Sequence, residues 1–386
     1  MAYFNMVAEM PESTVVTSYE PVKRRSDQYQ SEAALEKELI RMLTEQGYTY
    51  LSIRREKDLV ENLRGELERL NAYTFSDAEW TRFFGDVIAK ASDGIVEKTR
   101  MIQEDHVQVL RRDDGSTKNI TLIDKKNIHM NSLQVIHQYE VGADEGARHK
   151  NRYDVTILVN GFPRVHVELK RRGVAIREAF HQIDRYQRDS FWAGSGLFEY
   201  VQIFVISNGT NTKYYSNTTR FNAMRDAARG SAAKRSRTGN SFEFTSFWAD
   251  ANNRVIPDLV DFTRTFLAKH TILNILTKYC VFTSENLLMV MRPYQITATE
   301  RILNRIEIAN NYKKYGTIAG GGYIWHTTGS GKTLTSFKTA RAASLLPYID
   351  KVLFVVDRKD LDYQTMKEYG VKDGSLKPGN GSYYTP

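Results

Sequence analysis

Hydrophobic and polar positions along the chain fall into two periods. In SEAALEKELIRMLTEQG (31–47), Leu35, Leu39, Ile40 and Leu43 recur at three- and four-residue intervals, so one helical face is apolar. Ser31 is a ready N-cap and Gly47 a stop. Residues 52–102 are charged and helix-favouring, and VQVLRRDDGSTKNITLID then predicts a hairpin turning at Asp114-Gly115. Beyond it, YDVTILVN (153–160) and RVHVELK (164–170) predict two strands joined by a tight turn. A helix over 174–190 and a strand over 200–208 follow, giving the order β-hairpin, α, β.

The second strand of that hairpin alternates cleanly. Val165, Val167 and Leu169 face one way, and His166, Glu168 and Lys170 the other. A loop centred on Gly161 places Asp154 directly opposite Glu168. Like charges at a cross-strand spacing of about 5 Å repel unless something positive lies between them. Mg2+ suits the position, because it is held by one or two carboxylates and keeps waters. Cleaving a phosphodiester requires a water acidified at neutral pH and relief of charge on the phosphoryl oxygens, for which a divalent metal and a nearby ammonium are suited. Asp154 and Glu168 are therefore candidate metal-binding and catalytic residues, with Lys170 orienting or activating the water. Gln182 and Tyr186, four apart on one face of the next helix, are candidate accessory residues, as is Glu36 on the first helix.

A second α/β pattern begins near MRPYQITATERI. Gly322-Tyr-Ile-Trp-His-Thr-Thr-Gly-Ser-Gly-Lys-Thr runs from an apolar strand end through a small-residue loop into a helix start, the order of a phosphate-binding loop. Thr328, Gly329, Ser330 and Gly331 would cradle phosphate with backbone N–H groups, Lys332 would reach the β/γ-phosphates of ATP, and Thr333 would hold its Mg2+. The stricter pattern has glycine where this chain has His326. Gln295, in Arg292-Pro293-Tyr294-Gln295, offers an amide able to read an adenine edge. KVLFVVDRKDLDYQ (351–364) predicts a further buried strand, turn and helix.

Composition narrows the class without naming it. The 386 residues, 41% hydrophobic, exceed one ordinary core, so two domains are expected. The boundaries read as 1–260 for the first domain, 261–285 for a helical connector and 286–386 for the second. The single cysteine, Cys280, excludes a disulfide framework and a thiolate metal site. No apolar run is long enough to span a membrane, and MAYFNMVAEMPEST lacks the order of a signal peptide, so a cytoplasmic protein with no membrane partner is expected. The net charge of +8 is compatible with a polyanionic partner, and residues 220–240 carry basic groups among small ones as an exposed loop.

With these residues in place, the chain resembles the R subunit (HsdR) of type I restriction enzymes over most of its length. Asp154, NGFPRVHVELK and HQIDRYQRD are similar to that family's PD-(D/E)xK nuclease elements. RPYQ, WHTTGSGKT and VVDRKDLDYQ are similar to its superfamily 2 motor motifs, and EKELIRMLTEQG to a helix bearing an accessory metal-site Glu in related nucleases. The resemblance implies an α/β chain in which a mixed sheet flanked by helices, the nuclease, precedes part of a RecA-like P-loop domain. By it Asp154, Glu168 and Lys170 are catalytic, while Glu36, Gln182 and Tyr186 are accessory. It further implies an ATP-dependent, Mg2+-dependent endonuclease acting on double-stranded DNA beside methylation and specificity subunits, with S-adenosylmethionine used only by those partners.

No acidic box, second RecA-like domain or arginine finger follows Gln364, so the resemblance implies a motor domain that stops short and cannot hydrolyse ATP alone. Two other readings share these motifs. One is a repair-type helicase–nuclease, against which the HQIDRY and NGFPRVHVELK contexts argue. The other is a silent module that docks DNA or partners through its basic segments.

Overall fold

A computed structural model describes residues 13–20, 30–142, 146, 150–218, 241–283, 286–353 and 355. The basic segment 220–240 and most of the stretch 351–364 lie outside them. Two units divide the chain, the first running to Phe282 and including Leu288–Arg292, the second holding Thr283–Leu287 and the residues from Pro293 onward.

In the first unit, helix α1 (Glu32–Glu45) starts where Ser31 Oγ accepts from Ala34 N and stops before Gly47, whose φ of +85° an L side chain resists. Its buried face holds Leu35, Glu36, Leu39, Met42 and Leu43, so the docked stripe is turned from the expected one and leaves Ile40 only half-buried. Strand β1 (Thr49–Tyr50) follows, and the charged stretch after it folds as α2 (Glu56–Asn71), α3 (Asp77–Phe83) and α4 (Ile95–Gln103). A capping box between Ser76 and Glu79 starts α3. The expected hairpin forms as β2 (Val107–Arg111) and β3 (Thr117–Thr121), with Gly115 at φ +80° in its turn.

Next come β4 (Leu133–Val141), β5 (Asn151–Val159), β6 (Phe162–Leu169), α5 (Arg177–Asp189), β7 (Ile203–Ser207) and β8 (Thr212–Ser216). They build a mixed six-stranded sheet in the order β1-β4-β5-β6-β7-β8. β6 and β7 run parallel, which α5 makes possible as the crossover between them. Every residue of β6 is buried, so its alternation does not separate a wet face from a dry one.

The β5–β6 turn is Asn160-Gly161, both at positive φ, as a two-residue type I′ hairpin needs. The turn alone would pair Val159 with Phe162 and continue in that register, but a bulge between Ile157 and Leu158 shifts it by one. Beyond the bulge the pairs are Ile157↔Val165, Thr156↔His166 and Val155↔Val167, and the next position along sets Asp154 against Glu168. A Cβ on Gly161 would come within 2.6 Å of Leu63 Cα, so α2 seats directly on the turn.

Helices α6 (Leu259–Thr265) and α7 (Lys269–Asn274) and the pair β9 (Cys280–Phe282) and β10 (Leu288–Val290) complete this unit. The stretch expected as a connector is thus largely part of it, α6 packing on α1. Cys280 is a buried thiol. No helix among the described residues is long and apolar enough to cross a membrane.

The second unit packs α8 (Pro293–Asn311) against α9 (Lys332–Ala343). Two expectations differ here. Residues 321–327 form no strand, and 351–353 and 355 form none either, with Trp325, Leu353 and Val355 more than four-fifths exposed. A strand holds its shape through ladder bonds to a neighbour, and among the described residues neither run has one.

Candidate active site and nucleotide loop

Carboxylates, a lysine and aromatic packing meet at the end of β5 and β6. Asp154 Oδ2 accepts from Leu169 N at 2.9 Å, which pins the carboxylate across the two strands. Glu168 is fully buried, and Lys170 Nζ donates to its Oε1 at 3.2 Å and to the Leu169 carbonyl at 2.9 Å. Burial, and then mutual repulsion, push the Asp154 carboxyl up to about 7. Burial pushes Glu168 up to about 8 against the pull of Lys170.

His166, one pair further along the same face, is also fully buried, and burial holds its imidazole down at about 4, hence neutral. Its Nδ1 lies 3.1 Å from Thr156 Oγ1 and its Nε2 3.4 Å from Glu168 Oε2. Neither His166 Nε2 nor Glu168 Oε2 has a hydrogen-bond partner. A buried carboxyl with one unsatisfied oxygen, opposed by a half-buried one, fits a hard divalent cation that retains waters. Among the described residues no group of three or more His, Cys, Asp or Glu forms a fuller cage.

Helix α1 lies over this end of the sheet, because its stripe of Leu35, Leu39 and Leu43 is buried there. Two of its acids come with it. Glu32 Oε1 is 3.9 Å from Lys170 Nζ. Glu36 accepts from His137 Nδ1 with Oε1 and from Gln138 Nε2 at 2.6 Å with Oε2. The early helix therefore does dock beside the paired carboxyls, with Glu36 engaged by β4. Tyr186 of α5 donates to the Arg152 carbonyl at 2.8 Å and accepts from Gln182 Nε2. Its ring is buried against Tyr153, 4.8 Å between centroids, and burial raises its hydroxyl well above the usual phenol range.

Sequence reasoning passed over Glu32, His137 and Gln138. Glu32 stands one helical turn before Glu36 and was legible from that spacing. His137 and Gln138 break the apolar pattern of β4 and carried no local signal.

In the second unit Gly329 and Gly331 adopt φ of +78° and +76°, and Gly331 caps α9. Lys332 opens that helix, and its Nζ donates to the Thr327 carbonyl at 3.1 Å and the His326 carbonyl at 3.5 Å. Thr328 and Ser330 complete the loop and Thr333 follows in the first turn. A Cβ on Gly331 would meet Gln295 Nε2 at 2.5 Å. Gln295 itself donates to the Ser330 carbonyl at 3.0 Å, which Tyr294 also reaches at 2.8 Å. The loop, left-handed at both glycines and set at a helix N-terminus, fits a nucleotide phosphate chain. Gln295, the residue expected to read an adenine edge, is thus in contact with the same loop.

Residues 29–223 match the family described as the N terminus of the type I restriction enzyme R protein, and residues 288–378 match that of the type III restriction enzyme res subunit. The endonuclease subunit of the type I restriction enzyme EcoprrI from Escherichia coli is 49% identical over 302 residues, 78% of this chain and 90% of that protein. A type I restriction enzyme endonuclease subunit from Staphylococcus saprophyticus is 39% identical over 363 residues, and one from Staphylococcus aureus 38% over 348. The chain covers 92% and 88% of its own length in these matches but spans only 35% and 33% of those two relatives.

Proposed function

Since the chain belongs to the endonuclease-subunit family of type I restriction enzymes, we propose that its first unit is a Mg2+-dependent DNA nuclease of the PD-(D/E)xK type and its second the ATP-binding start of a RecA-like motor. One observation carries the nuclease reading. Two carboxyls from adjacent strands meet, Glu168 fully buried with Lys170 Nζ 3.2 Å away and Asp154 half-buried opposite it, an arrangement that is costly without a cation.

Asp154 and Glu168 hold the metal in this reading. A bound Mg2+ supplies Lewis-acid neutralisation of phosphoryl charge and acidifies water. Lys170, beside Glu168 and capped by the Leu169 carbonyl, orients the attacking water and offers its charge to the phosphate. Leu169 N fixes the Asp154 carboxylate, and Gln182 with Tyr186 ties α5 to β5 through the Arg152 carbonyl, keeping the strand ends in register. The substrate is double-stranded DNA, and the partners are the methylation and specificity subunits, S-adenosylmethionine serving them alone. A cytoplasmic location follows from that assembly. In the second unit Thr328, Gly329, Ser330, Gly331 and Lys332 grip the ATP phosphates, Thr333 its Mg2+, and Gln295 reads the adenine edge.

Calorimetry with Mn2+ on the full chain tests the metal site, and binding of a fluorescent ATP analogue tests the loop. Asp154→Ala abolishes Mn2+ binding and leaves nucleotide binding intact, while Lys332→Ala does the reverse. Mn2+ binding that survives Asp154→Ala sinks the nuclease assignment.

A further inference from the structure

Gln138 stands in the middle of β4 with φ +53°, a left-handed conformation that side chains with a Cβ rarely adopt. The neighbouring ladder pairs are His137↔Val155 and Tyr139↔Tyr153, so the strained residue lies opposite Asp154. Strain of this kind persists only where the surroundings over-determine it. A second observation concerns the same side chain: its Oε1 is buried without a hydrogen-bond partner. An amide oxygen in that state is rare in a folded interior.

The orientation of the amide follows from its neighbour. The Glu36 carboxylate only accepts when ionised, so the NH2 end of Gln138 must face it, which leaves Oε1 as the free end. Glu36 has both oxygens engaged, one by Gln138 and one by His137 Nδ1, and His137 Nε2 lies 2.9 Å from the Tyr50 hydroxyl. A carboxylate bound on both sides in this way is a brace. The two carboxyls of the proposed metal site leave much of the six-oxygen shell of a hard cation to other donors, and amide oxygens belong to the donor set such cations take.

We infer that Gln138 Oε1 is a third oxygen ligand of the divalent cation held by Asp154 and Glu168, and that Glu36 acts through Gln138 as a positioning residue. The inference rests on the proposed metal site. It assigns a purpose to the left-handed conformation of Gln138, opposite Asp154 on the neighbouring strand.

The test measures Mn2+ affinity by calorimetry and the Mn2+ environment by electron paramagnetic resonance, alongside the apoprotein Tm, on the full chain. Gln138→Gly removes the ligand and the strain together. It is expected to weaken Mn2+ binding tenfold or more while raising the Tm in EDTA, a pair of opposite signs that a purely structural role does not produce. Gln138→Leu weakens Mn2+ binding equally without the gain in Tm. Glu36→Gln, which still accepts from Gln138 Nε2, changes Mn2+ affinity less than threefold. Unchanged affinity in both Gln138 variants, with binding still abolished by Asp154→Ala, overturns this inference and spares the proposed site. A tenfold loss in Glu36→Gln makes Glu36 a ligand and overturns its positioning role. Failure of the unmodified chain to bind Mn2+, or binding indifferent to Asp154→Ala, overturns the metal site and this inference with it.

Discussion

Replacing Asp154 with asparagine should make the metal-free protein more stable at alkaline pH, although it destroys the proposed metal site. The carboxyl moves from 3.8 to about 7 on folding, chiefly through burial. At about 1.4 kcal/mol for each tenfold change, the charged form is disfavoured in the native state by about 4 kcal/mol, taken as an upper bound because Glu168 titrates with it. Because the folded value is raised, the unfolded chain gives up the proton first. The penalty is absent below pH 4, grows as pH rises from 4 to 7, and is full above that.

Asp154→Asn cannot ionise, and its amide oxygen still accepts from Leu169 N. In EDTA the variant should therefore match the unmodified chain at pH 4 and exceed it by about 2–4 kcal/mol at pH 8.5. Saturating Mn2+ should then stabilise the unmodified chain and not the variant, closing or reversing the gap. Urea unfolding followed by tryptophan fluorescence reads this, because Trp80, Trp192 and Trp248 are in the first unit and the second contributes only the exposed Trp325. Identical unfolding curves for the two proteins at pH 8.5 without metal would refute the reasoning, since folding would then not raise the Asp154 carboxyl.

Two further outcomes follow from backbone and core geometry. Gly161→Ala places a Cβ 2.6 Å from Leu63 Cα at a φ of +81°, so it should destabilise the first unit by about 2 kcal/mol or more and weaken Mn2+ binding with it, both read by titration of the variant; unaltered stability would mean that α2 is not seated on the turn. Arg164 is buried, with Nε and Nη2 unpartnered and burial lowering its guanidinium to about 9, so Arg164→Met should be neutral or stabilising by about 1–3 kcal/mol in urea unfolding, and a loss of similar size would reveal a partner for the guanidinium.

How much of this was legible in the residues differs by element. Clean alternation marked β6, a helical period marked α1, and turn chemistry marked the Asp114-Gly115 hairpin, while β5 and α5 were read as the strand and helix beside them. The opposition of Asp154 and Glu168 was expected from a loop centred on Gly161. The two-residue turn actually centres between Asn160 and Gly161, and the bulge after Ile157 restores the same opposition. Strand β4 escaped notice because its apolar run is interrupted by His137 and Gln138, the residues that meet Glu36.

By itself, then, the sequence determined which residue types stand at which spacing: the Asp and Glu-x-Lys set, the glycine-rich loop, and the amphipathic segments that carry them. Those features depend on neighbours a few positions apart, where helical and strand periods act. Only the tertiary structure decided that α1 docks over the paired carboxyls with Glu36 inward, that Gln138 is kinked opposite Asp154, and that burial raises both carboxyls above the usual carboxylate range. Glu36 and Gln138 are 102 residues apart, and contact at that range is settled by how whole elements pack, which no local pattern encodes.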